Sequence, residues 1–121
     1  RKALLGQSVT ADMQADVMAL LDADPAVEAV HDVKATVMSA SSFRFKAEID
    51  FDGTEIARKW LAVQDLEALF SQASTDKAAF EKFLIEYGEH ICNGLGDEID
   101  RIEATIKEQV PRAKHVDLEA D

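Results

Sequence analysis

In the stretch His115-Val116-Asp117-Leu118-Glu119, an imidazole and two carboxylates recur at every second residue. On a β-strand, residues two apart project from one face. A ring nitrogen beside carboxylate oxygens is a ligand set for zinc or a similar divalent cation. The same spacing also fits an ordinary amphipathic edge strand with a polar outer face. Zinc takes three or four protein ligands, so a partner strand would have to contribute. Glu48 is one candidate, on the polar face of a second strand; there it could instead be a solvated carboxylate paired with Lys46 or Arg44, worth little energetically. His31 is another. Simple alternation puts it on an apolar face with Val33, where a histidine is more often a packing residue than a ligand. A bulge in that strand would reverse its direction. The candidate metal ligands are therefore His115, Asp117, His31 and Glu48.

Other polar groupings fall short of a site. In Glu89-His90-Ile91-Cys92 the histidine and cysteine lie two apart on a helix and do not face one way. For the same reason His90 cannot act as a base for Cys92. Gly94-Leu95-Gly96 follows no strand and lacks the third glycine of a dinucleotide fingerprint. No pair of carboxylates is spaced for acid–base work, so an enzyme is not expected.

The elements that must position these residues can be read from periodicity. A first helix runs from Thr10, a suitable N-cap, to Asp22, with Met13, Val17, Leu20 and Leu21 as its buried stripe. Asp24-Pro25 ends it. A first strand covers Val27 to Met38, with Val27, Ala29, His31, Val33, Ala35 and Val37 sharing a face. After Ser39-Ala40-Ser41-Ser42, a second strand, Phe43 to Phe51, alternates strictly. Phe43, Phe45, Ala47, Ile49 and Phe51 point one way, and Arg44, Lys46, Glu48 and Asp50 the other. Asp52-Gly53 suits a tight hairpin. Thr54 to Lys59 then reads as a short third strand, although Ile56, Trp60 and Leu61 also fit a helix. Asp65 to Ala73 is a short helix. A long helical pattern starts after Thr75 or Asp76 and runs to Glu108, with a break expected at Asn93 to Gly96, where glycines weaken it. A last strand covers Ala113 to Leu118.

The order helix–strand–strand–insert–helix–strand predicts an α+β fold, a ferredoxin-like open-faced sandwich lacking its usual first strand. Two helices cover one sheet face, and the other is left open. The 121 residues suffice for one modest core. A 47% hydrophobic and 31% charged composition is that of a globular chain. The net charge of −11 disfavours nucleic acid as a partner and weakly attracts cations. The single cysteine excludes an internal disulfide, and no apolar run reaches the ~20 residues of a membrane span. The start at Arg1-Lys2 suggests a piece of a longer chain.

Several of these residues together resemble the C-terminal cytoplasmic domain of the cation diffusion facilitator transporters, in the branch that includes the mitochondrial zinc transporters. The resemblance is carried by Leu4-Leu5-Gly6; Asp24-Pro25-Ala26-Val27; Val30-His31-Asp32-Val33-Lys34-Ala35; Phe43 through Gly53; Gly88-Glu89; Leu95-Gly96 through Asp100-Arg101; and His115 through Glu119. It implies that six membrane helices precede Arg1 and exchange a divalent cation, usually zinc, for protons. Residues 1–9 would then be the linker from the last membrane helix. Residues 10–121 would be a regulatory and dimerisation domain on the cytoplasmic side, with an insertion at about 54–88. It would pair with a second copy, in several members around bound zinc, and would contact the membrane domain of its own chain. His115 and Asp117 match the family's His-x-Asp, and His31 its first-strand histidine. Glu48 replaces a histidine, and Gly96 or a neighbour stands where another is usual. The alternatives are a metal-independent dimerisation scaffold and a free-standing ferredoxin-like sensor of small molecules.

Overall fold

The structure is a computed structural model that describes residues 2–121, with side chains from residue 11 onward. Its elements are α1 (Lys2–Ala23), β1 (Val27–Ser39), β2 (Ser42–Phe51), α2 (Gly53–Ala62), α3 (Leu66–Ala73), α4 (Lys77–Gln109) and β3 (Ala113–Ala120). The three strands form one sheet in the order β1-β2-β3, so the fold is α+β, consistent with the ferredoxin-like class. α1 begins well before Thr10, the expected N-cap, whose side chain lies outside the described residues. The preceding Ala3-Leu4-Leu5 are strong helix formers and extend the helix.

The chain divides into two compact units, residues up to Asp52 together with Ile99–Asp121, and Gly53–Glu98. In the first unit β2 is central, antiparallel to β1 and parallel to β3. Its alternation works as the sequence dictates. Phe43, Phe45, Ala47 and Ile49 are each at most 1% exposed and meet Val17 and Leu21 of α1, Ile102 and Ile106 of α4, and Val116 and Leu118 of β3 in one core. Both helices therefore lie on one face of the sheet. Asp24 ties them together just beyond α1. Its carboxylate accepts two hydrogen bonds from the Arg101 guanidinium, both at 2.9 Å, and a third from the Ala26 backbone N–H at 3.0 Å. This fork-to-fork geometry fixes direction as well as distance. Glu103 accepts from the Leu118 backbone N–H at 3.0 Å and so satisfies a donor on edge strand β3.

β1 departs from simple alternation. Its register against β2 shifts between Val27 and Ala29 and again between His31 and Lys34. Each shift inserts one residue and flips the faces that follow. Asp32, in the second shift, has φ +50°, a left-handed conformation that aspartate tolerates better than most residues. Val27, Val30, Val33 and Ala35 thus pack on the core, while Ala29 and His31 lie opposite Asp50 and Glu48 on the open face. The expected grouping of Ala29 and His31 with Val33 is corrected by these two bulges.

In the second unit, the segment read as a third strand at Thr54 to Lys59 is helix α2, and no Asp52-Gly53 hairpin forms. The helical spacing of Ile56 and Trp60 wins because it buries Ile56 and sets Trp60 against Tyr87 and His90, ring centroids 5.3 and 5.0 Å away. α3 is capped by Asp65, which accepts from the Ala68 N–H at 3.1 Å, and α4 by Asp76, which accepts from the Ala79 N–H at 2.8 Å. Lys59 reaches the buried Glu98 at 2.6 Å.

The expected break at Asn93 to Gly96 is absent, and α4 is one helix of 33 residues, about 50 Å long. Gly94 explains why a helix-weakening residue sits mid-helix: a Cβ there would lie 2.9 Å from Cγ2 of Ile56. Gly88 and Gly96 face open space. Gly94→Ala should therefore destabilise by about 1–3 kcal/mol through overpacking. Gly88→Ala and Gly96→Ala should each stabilise by up to ~1 kcal/mol. Urea denaturation of the three variants checks the opposite signs.

Candidate metal centre

The bulges and the parallel pairing bring three ligand-type side chains together at one end of the open face. His31 Nε2 lies 2.8 Å from Asp50 Oδ2 and 3.9 Å from Asp121 Oδ2. Asp50 sits diagonally across the β1–β2 pair from His31, which is opposite Glu48. Asp121 lies one residue beyond β3 and is held there by its backbone N–H, which donates to the Ile49 carbonyl at 2.9 Å. One nitrogen and two carboxylate oxygens lie within 4.8 Å of one another. Zinc held tetrahedrally at ~2.0 Å needs ligand atoms about 3.3 Å apart, so a small closure would suffice. Three protein ligands leave a fourth position for water or another group.

The electrostatics suit a cation. The hydrogen bond to Asp50 raises the His31 pKa above its ordinary 6.5 against the opposing effect of desolvation, with the charges of Asp50, Asp121 and Asp32 adding attraction. His31 in turn lowers the Asp50 carboxyl below 3.8, helped by a hydrogen bond with Asp121. Glu48 goes the other way. Its hydrogen bond with Asp32, the charge of Asp32, partial desolvation, and then Asp121 and Glu119 hold its pKa above 4.5. Carboxylates crowded at one end of a sheet face make a locally negative potential that concentrates cations.

Of the residues singled out in the sequence, His31 is in this cluster and Glu48 borders it. His115 and Asp117 share the open face but pair in register with Arg44 and Lys46. From Arg44 to Glu48 is four residues of β2, about 13 Å along the strand, too far for His115 and His31 to share one ion. Asp50 and Asp121 were not foreseen as ligands. The signal for Asp50 was its polar-face position in β2. The signal for Asp121 was the continuation of the period-two series His115, Asp117, Glu119. His90 stacks on Trp60 with planes 24° apart, and Cys92 is an exposed free thiol.

With this geometry in hand, the relatives become informative. Over 120 residues, 98% of its length, the chain is 44% identical to the mitochondrial proton-coupled zinc antiporter SLC30A9 of Xenopus laevis. It is 41% identical to the human protein of that name over the same share. Metal tolerance protein C4 of Arabidopsis thaliana is 36% identical over 99% of the chain. The chain is a homologue of the cation diffusion facilitators. It spans about a fifth of the length of the antiporters, 22% of the frog protein, and 27% of the plant protein. No family model and no solved structure matches it. Among the described residues, no helix is long and apolar enough to cross a membrane.

The pKa directions carry a pH signature. Because the folded His31 pKa is raised, its pairing with Asp50 stabilises the fold fully below about pH 6.5 and is lost as pH rises through the higher folded value. The lowered Asp50 pKa stabilises the fold above its unfolded value and is lost as pH falls through the folded one. NMR titration of the imidazoles should give His31 a midpoint above 6.5, and Asp50→Asn should return it toward the ordinary value.

Proposed function

We propose that this chain is a non-catalytic regulatory and dimerisation domain of a proton-coupled divalent-cation efflux transporter, facing the cytoplasmic side of its membrane and responding to zinc through His31, Asp50 and Asp121. The convergence of these three side chains, from β1, β2 and the residue just after β3, carries the reading. The relatives support it, since two are named proton-coupled zinc antiporters and a third a metal tolerance protein. In this reading transport belongs to the part of the protein corresponding to the other four-fifths of the relatives, and this domain reports cation level to it. Zinc is the cation being handled, and its capture between strands would stiffen one end of the open face of a paired domain.

The test is a calorimetric zinc titration of the metal-stripped chain. One ion should bind per chain with micromolar or tighter affinity, more weakly as pH falls through the His31 midpoint. His31→Ala and Asp121→Ala should each weaken binding at least tenfold, and His115→Ala should leave it unchanged. Absence of binding would reduce the domain to a metal-independent dimerisation scaffold. Loss of binding on His115→Ala would move the site along β3.

A further inference from the structure

Away from the His31 end, the open face of the sheet reverses its charge. Lys34 of β1 stands directly across from Lys46 of β2, and Thr36 of β1 across from Arg44 of β2. All four side chains are exposed and share the open face. Strands lie ~4.8 Å apart, and alternate residues of one strand ~7 Å apart. The four therefore mark a rectangle of about 5 by 7 Å, with three cations and a hydroxyl at its corners. Like charges directly opposite one another weaken a strand pair. The fold does little to offset this pair. Lys46 reaches Glu119 only at 3.7 Å, and among the described residues Lys34 and Arg44 have no hydrogen-bond or ion-pair partner. The chain has 24 acidic residues against 13 basic ones, so three adjacent cations left this way are not what solubility asks for.

We propose that this rectangle binds the diphosphate group of a small soluble anion. Charge is the first argument. Two linked phosphoryl groups carry roughly three negative charges near neutral pH and match three fixed cations better than one phosphate or carboxylate would. Geometry is the second. Arg44 can hold one phosphoryl group through two parallel N–H donors, and the lysine pair meets the other as point charges. Thr36 adds a hydroxyl donor at the fourth corner. Lys34 and Lys46 also line a cleft of about 360 Å³ together with Asp32, Val33 and Glu48, so there is room between them. Extent is the third. Carboxylates bound the rectangle: Asp117 is level with Lys46 on β3, and Asp32 and Glu48 lie two residues further toward His31. A bilayer or an acidic protein would press on those carboxylates as well as on the cations. An anion no larger than the rectangle covers the cations alone.

This inference goes beyond the zinc reading and uses none of its three side chains, so the two can fail separately. Calorimetric titration of the metal-free 121-residue chain with sodium pyrophosphate, at pH 7 and low salt, should show one site per chain with a dissociation constant of about 100 μM or tighter. Arg44→Gln and Lys34→Gln should each weaken binding at least tenfold. Lys107→Gln, on α4 behind the opposite face of the sheet, should leave it unchanged. Lys34→Glu should abolish binding yet raise the urea midpoint, because it turns a like-charge pair into an opposite one. Loss of binding in that variant could not then be ascribed to unfolding. Absence of pyrophosphate binding, binding indifferent to both glutamine variants, or equal affinity for orthophosphate would overturn the inference. Co-flotation with phosphatidylglycerol vesicles by a chain that ignores pyrophosphate would overturn it too and assign the cations to lipid headgroups.

Discussion

The candidate cation site depends on two extra residues in β1. β2 offers a strictly alternating template with one face committed to the core, and β1 must satisfy that core with Val27, Val30, Val33 and Ala35. Without its bulges, a strand with that apolar set would bury His31. The left-handed turn of the backbone at Asp32 resolves the conflict, since two residues then oppose one and the imidazole emerges toward Asp50. Asp32 also gives Glu48 its hydrogen-bond partner, so the residue that bends the strand shapes the site's charge as well.

Where one rule acted alone, the sequence was transparent. The nine-residue alternation of β2, the stop at Asp24-Pro25, the short helix at Asp65 to Ala73, the start of α4 after Asp76, one of the two expected caps, and the helix-to-strand order all sit where local chemistry puts them. Where two rules competed, local reading fell short. Asp52-Gly53 carries a hairpin signal, but burial of Ile56 and ring contacts of Trp60 outweigh it. The glycines of α4 argue for a break, yet at Gly94 the absent side chain is what admits Ile56. The site was half legible. His31 and Glu48 were visible as candidates and the need for a bulge was foreseeable, but strand register was not. Register is a long-range property, and it places Asp121 at the level of Asp50 while leaving His115 at the level of Arg44.

The two units use their surfaces differently. The sheet's open face is lined by charged side chains, among them Arg44, Lys46, Glu48, Asp50, His115, Asp117 and Glu119, and suits ions. The α3–α4 cleft is apolar. The stretch matched to the relatives covers 98–99% of the chain and so includes both units.

The candidate ligands His31 and Asp50 lie in β1 and β2 and Asp121 follows β3, so the last is separated from the others by the whole helical segment and β3. A β1–β2 hairpin formed on its own supplies only two of the three. Closing the set demands the longest loop in the chain, and that closure is entropically the most expensive step in building the sheet. An ion held by all three would therefore reward only the completed topology. Partly assembled sheets would forgo that reward, so cation level would double as a check that the last strand has docked in register.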